Sequence, residues 1–133
     1  MGRALNLSQF QHNVTDGTTT VATTYVTNGS AKAWVNLNGT GTISIRDSLN
    51  TSSVTDAGTG KYTQNYSSYM SSDDYSVGTS SGNSTGYIES IKPNRYNLFE
   101  PIDASYLQVV CWNQSSAWID TEIVLTQSYG DLA

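Results

Sequence analysis

Chemistry in a protein starts from side chains that can move a proton, supply an electron pair or hold a metal, and this 133-residue chain has few of them. It has one histidine, His12, and one cysteine, Cys111. A serine nucleophile needs a base to take its proton. His12 stands in a polar N-terminal stretch and reads as a solvated surface residue; neither a nucleophile elbow nor a His-Glu-x-x-His zinc pair is expected. Carboxylates are paired at Asp73/Asp74 and at Asp120/Glu122. The first pair precedes Tyr75 and reads as a turn leading into a strand. The second pair, at i and i+2, would place both groups on one strand face, where calcium binding or glycoside hydrolysis is the chemistry to test. A solvated face opposite Ile119 and Ile123 is the favoured reading. Cys111 lies in an apolar run and reads as a small core residue. A lone cysteine excludes an internal disulfide and a cysteine-based zinc cluster. No catalytic set, cofactor or metal site follows, and no enzyme is expected.

Aromatic residues are the other candidates for function. The chain carries nine Tyr and three Trp. Trp34, Tyr62, Tyr66, Tyr69, Tyr75, Tyr87, Tyr96 and Trp118 are the candidate surface or interface aromatics. They could stack on sugars beside the many Asn and Ser side chains. The interface or core reading stands ahead of glycan binding, because large aromatics dominate core and interface energetics generally.

Strands must position these groups. In Ala31–Arg46, Ala33, Val35 and Leu37 alternate with Trp34 and Asn36. After Asn38-Gly39-Thr40-Gly41, Ile43 and Ile45 alternate with Thr42, Ser44 and Arg46. A period of two on either side of glycine-rich turn residues predicts a β-hairpin with one buried face and Trp34 pointing away from it. Lys61–Tyr66 predicts a strand with Tyr62, Gln64 and Tyr66 on one side. Tyr106–Trp112, the most apolar run, predicts a central strand buried on both faces. Weaker patterns predict strands at Thr18–Val26, Tyr75–Ser80 and Gly86–Ile91, with Trp118–Gln127 closing the domain. Asp47–Gly60 reads as a polar connection anchored by Leu49 and Val54. Ser67–Asp74, Ser81–Thr85 and Asn113–Ala117 read as loops or turns, Arg95–Asp103 as a loop or short strand, and Lys92-Pro93-Asn94 as a strand break. Single helical turns fit only Ser48–Ser53 and Asp103–Ser105. Short strands spaced by turn signals point to an all-β domain, an antiparallel β-sandwich of jelly-roll-like kind.

Composition agrees. Ser, Thr and Asn supply 47 of the 133 residues and only 13% are charged, against about a quarter in ordinary domains. The net charge of -5, with six scattered basic residues, argues against nucleic acid. No run is long and apolar enough for a membrane span or a signal peptide. Without such a segment, the Asn-x-Ser/Thr triplets of so Asn-rich a chain carry no glycosylation meaning. The length fits one domain, residues 28–133, preceded by residues 1–27 as an arm plus first strand. Leu5, Leu7 and Phe10 are the arm's docking side chains.

The longest ordered words are distinctive. Asn28–Asp47 (NGSAKAWVNLNGTGTISIRD) continues through Ser48-Leu49-Asn50-Thr51-Ser52-Ser53, then Asp56, Gly58-Thr59-Gly60-Lys61-Tyr62-Thr63, Met70 and Asp73-Asp74-Tyr75-Ser76-Val77. This resembles the C-terminal domain of tail fibres and fibre-like virion proteins of tailed bacteriophages. The likeness covers about half the chain, and after Ser80 it is only general. Leu37 and Leu49 stand where that family usually has Phe, and where the familiar domain follows a long fibre shaft, about thirty residues precede it in this sequence. The resemblance implies a homotrimeric virion structural protein, assembled in the host cytoplasm and displayed on the particle as a short fibre or knob. Residues 1–27 would anchor it to tail or capsid proteins, and the outer loops would meet host-surface polysaccharide. The alternatives are a capsid decoration or cement protein and, from another class, a free carbohydrate-binding module.

Overall fold

The computed structural model describes residues 13–15, 20–83, 88–93, 103–113 and 117–133. The chain divides into two units, Met1–Ser30 and Ala31–Ala133. His12, Leu5, Leu7, Phe10, Tyr87 and Tyr96 lie outside the described residues.

In the first unit, β1 (Asn13–Thr15) pairs antiparallel with β2 (Thr20–Ala22), and α1 (Thr23–Gly29) follows directly. The strand expected over Thr18–Val26 is therefore corrected: it ends at Ala22. Neither face of that stretch is apolar enough to hold it in a sheet. Instead Thr27 Oγ1 donates to the Thr24 carbonyl at 3.3 Å and Ser30 Oγ to the Thr27 carbonyl at 3.1 Å. Such local hydroxyl-to-carbonyl bonds compete with extended pairing, and Asn28-Gly29 stops the helix.

The second unit is all β. Its eight described strands are β3 (Ala33–Asn38), β4 (Ser44–Leu49), β5 (Thr51–Asp56), β6 (Lys61–Tyr66), β7 (Ser76–Gly82), β8 (Ile88–Pro93), β9 (Tyr106–Trp112) and β10 (Ile123–Tyr129). They lie in the order β4-β3-β10-β7-β8-β9-β6-β5, each pairing antiparallel. The hairpin β3–β4 forms as expected, with Gly41 at φ 62 in its turn. A bulge at Asn36/Leu37 shifts its register. Ile43 packs on the core, but Ile45, expected beside it, is exposed on the edge strand. With a neighbour on one side only, β4 leaves Ile45 open to solvent.

Three of the expected boundaries change. Asp47–Gly60 is not a connection: it holds the end of β4 and all of β5, so no helical turn forms at Ser48–Ser53. Asn50 alone joins the two strands, at φ 53. Its side chain accepts from Ser68 N at 2.7 Å and donates to the Ser68 carbonyl at 2.9 Å. Asparagine tolerates this left-handed conformation better than most residues. Next, β7 runs on through Ser81 and Gly82, where a turn was expected. Finally, β8 reaches Pro93 rather than breaking before it. Pro93 pairs with Val109 at the strand's end, the place a residue without an N–H is tolerated.

The sheet doubles over on one core. Ala33, Val35 and Leu37 of β3 and Val124 of β10 pack with Tyr62 and Tyr66 of β6, Leu107, Val109 and Cys111 of β9, Met70 and Tyr75. Polar bonds stitch the two ends of the strand order together. Thr126 Oγ1 donates to Gln64 Oε1 at 2.5 Å, Gln64 Nε2 to Thr51 Oγ1 at 2.8 Å, and Tyr66 OH meets Ser128 Oγ at 2.8 Å. Buried polar groups need such partners. As expected, β9 is buried on both faces from Leu107 to Cys111.

Candidate functional site

Period two sorts the aromatic candidates. Tyr62, Tyr66 and Tyr75 are buried, so their placement among surface aromatics is corrected. A buried tyrosine can bond its hydroxyl, and each of these does. Tyr62 OH donates to the Gly39 carbonyl at 2.8 Å, with Asp120 Oδ1 at 3.1 Å; Tyr75 OH donates to the Tyr106 carbonyl at 2.9 Å. Tyr66 and Tyr75 meet edge-to-face, with centroids 5.9 Å apart. Burial, then the nearby Asp120 carboxylate, pushes the Tyr62 pKa far above its ordinary 10.0, and burial raises that of Tyr66. Trp34 is half-buried and points away from the core, as its alternation predicts. Tyr69 and Trp118 are exposed.

Asp120 and Glu122 precede β10 rather than sharing a strand face. Asp120 Oδ1 accepts from Gly60 N at 2.7 Å as well as facing Tyr62 OH, so it braces the Gly58–Lys61 turn. Asp103 accepts from the hydroxyl and the amide of Ser105, which hold its carboxyl below the ordinary range. This closes a turn at Asp103–Tyr106, where a single turn was expected. Cys111 is buried, as its apolar run predicts. Among the described residues, no three His, Cys, Asp or Glu side chains gather as metal ligands, and no helix is long and apolar enough to cross a membrane.

The expected lack of a nucleophile-elbow pattern does not hold for the residues themselves. Gly78-Thr79-Ser80-Ser81-Gly82 spells Gly-x-Ser-x-Gly. A nucleophile elbow requires a sharp strand-to-helix turn under the serine. Here all five residues lie within β7, so Ser80 is a strand residue on an extended backbone.

Two surface features remain. At one, Lys61 Nζ sits 3.8 Å from the Trp118 ring centroid and Trp112 meets Trp118 edge-to-face at 5.8 Å. The buried Trp112 indole N–H has no hydrogen-bond partner among the described residues. At the other, the outer face of β3, β10 and β7 is an uncharged shelf. Along β10, Val124, Thr126 and Ser128 are buried, so Ile123, Leu125, Gln127 and Tyr129 face outward. Gln127 pairs across the sheet with Trp34 on one side and Gly78 on the other; Leu125 pairs with Asn36 and Ser80. The outward positions of β7 are Ser76, Gly78, Ser80 and Gly82, a nearly bare strand. A hollow of about 280 Å³ lies there, lined by Gly78, Thr79, Ser80, Leu125 and Gln127. Only Trp34 of this face was singled out from sequence. The Ser-x-Gly-x-Ser-x-Gly alternation at 76–82 was the signal that could have found the rest.

No family model, curated protein or solved structure matches the chain.

Proposed function

We propose that the chain is a bacteriophage virion structural protein. In this reading it is a homotrimer of jelly-roll-like sandwich domains, displayed as a short fibre or knob that attaches to host-surface glycan. The observation that carries the reading is that words of the fibre-like pattern lying far apart in the chain brace one another in space. Tyr62, in the word Gly58-Thr59-Gly60-Lys61-Tyr62-Thr63, donates to the carbonyl of Gly39, in the word Asn38-Gly39-Thr40-Gly41. Met70 and Tyr75, from the last words, are buried in the same core as Ala33 and Val35 of the first. The resemblance thus runs through residues that hold one fold together, which chance likeness among Asn- and Thr-rich segments would not require.

Two further features support the reading. First and last strands of the second unit, β3 and β10, lie side by side, as in jelly-roll-like sandwiches. Two large apolar side chains, Ile45 and Leu49, are exposed on the edge strand β4, where a second copy could cover them. In the first unit, Tyr25 is 76% exposed and Val26 48%, side chains suited to an anchoring contact.

The test is an antibody raised against the chain and applied to purified particles of the phage that encodes it. Gold label at the tail tip or on projecting knobs supports attachment, label across the head makes it a decoration protein, and unlabelled particles refute the virion reading. Light scattering of the pure protein at micromolar concentration should give three times the chain mass. A monomer mass refutes the trimer.

A further inference from the structure

We propose that the hollow over Gly78 is a binding site for a neutral sugar ring. Its volume of about 280 Å³ lies just below the ~300–1,000 Å³ range of drug-sized ligand pockets, which suits one ring. None of its five lining residues ionises. A charged ligand would lose hydration there and gain no counter-charge from the lining.

The polar groups are arranged for hydroxyls. Tyr129 OH donates to Gln127 Oε1 at 2.7 Å. That bond orients the carboxamide and leaves its N–H groups uncommitted among the described residues. The Ser80 hydroxyl, on the facing strand position, likewise makes no hydrogen bond among the described residues. A sugar hydroxyl both donates and accepts, so it can bond an amide N–H and a serine hydroxyl together. Leu125, 36% exposed, offers an apolar wall to the C–H face of the ring.

Gly78 supplies the floor. A methyl group built on it meets nothing within 4 Å, and its φ is not left-handed. Neither internal packing nor backbone conformation calls for glycine here. Glycine weakens a strand and marks places where a ligand or another backbone comes close. The inference rests on the attachment reading for the biological source of the sugar, while the hollow and its chemistry stand on the second unit alone.

The experiment is a nuclear magnetic resonance titration of the full chain with glucose, galactose, N-acetylglucosamine, glucuronate and dextran. At least one neutral monosaccharide should give saturable, millimolar shifts centred on residues 78–80 and 125–127. Glucuronate should bind roughly tenfold more weakly. Gly78→Val, which fills the hollow with a good strand former, should abolish the shifts, and Gln127→Ala should weaken binding roughly tenfold. Dextran binding more tightly per ring than glucose would identify a polymeric surface glycan as the source; equal binding would identify a free sugar. The absence of shifts with every neutral sugar, unchanged binding in both variants, or equal affinity for glucuronate overturns the proposal. Labelled particles with no sugar shifts would remove the hollow and leave the virion reading. Sugar shifts with unlabelled particles would do the reverse.

Discussion

Gly60, in the turn before β6, and Gly78, within β7, are glycines for opposite reasons. Gly60 stands at φ 67, and a methyl group there would lie 2.7 Å from the Ile119 carbonyl oxygen and 2.8 Å from the Cys111 carbonyl oxygen. Its own carbonyl accepts from Cys111 N at 2.7 Å and its N–H donates to Asp120. Every direction around it is occupied by backbone. Around Gly78 there is open space. The first glycine is demanded by the fold, whereas the second lowers the fold's stability and leaves a surface free. Residue type alone does not separate them; the neighbours do.

The comparison breaks most visibly at Gly60. Gly60→Ala must hold an L residue in the left-handed region, at roughly 1–2 kcal/mol, and also push back a backbone segment. A loss of about 3 kcal/mol is expected, or roughly 10 °C in the thermal midpoint followed by circular dichroism. A midpoint within two degrees of the parent, roughly half a kcal/mol at this size, would mean that the Ile119 and Cys111 backbones do not close over the site. Gly39→Ala should behave similarly, because its added methyl would strike the Tyr62 ring and the Thr121 carbonyl.

Next in size is the hydroxyl that links these crowded turns. Tyr62→Phe keeps the ring and removes the donor to Gly39, so about 1–2 kcal/mol should be lost in urea unfolding. The pH dependence sharpens the point. Tyr62 and Tyr66 both have pKa values raised above the ordinary 10.0. Above that pH the unfolded chain releases protons that the folded chain still holds. Stability is therefore fully present below pH 10 and declines as pH rises beyond it. In Tyr62→Phe the decline should be shallower, since the larger of the two contributions is gone. Equal slopes would place the Tyr62 hydroxyl in water.

These contrasts also show what could be read in advance. The strands β3, β6 and β9 were legible because one face, or both, is apolar enough to impose a period. Strand β5 was not. Its residues, Thr-Ser-Ser-Val-Thr-Asp, carry one apolar side chain, and its place is set by pairing with β6 and by Asn50 turning the corner. The same holds for Tyr62, Tyr66 and Tyr75. A tyrosine reads as a surface residue until a particular carbonyl or hydroxyl is found at its tip, and those partners lie 23 to 62 residues away in the chain. The shelf over Gly78 was missed for a related reason. Tyr75–Ser80 was read as a strand, but its small residues do not name their partner, β10, which lies more than forty residues on.

The smallest effect has the opposite sign and so tests the comparison most directly. Gly78→Ala adds a methyl group where nothing lies within 4 Å. Glycine in a strand costs roughly 0.5–1 kcal/mol relative to alanine, mostly through the freedom it has in the unfolded chain. The variant should therefore unfold at a higher urea concentration than the parent, while Gly60→Ala unfolds at a much lower one. If sugar occupies the hollow, the same methyl should weaken glucose binding even as it stabilises the fold. A gain in stability together with a loss of affinity is the signature of a glycine kept for its surface. If Gly78→Ala destabilises the protein, the strand's bareness is structural and the two glycines are alike after all.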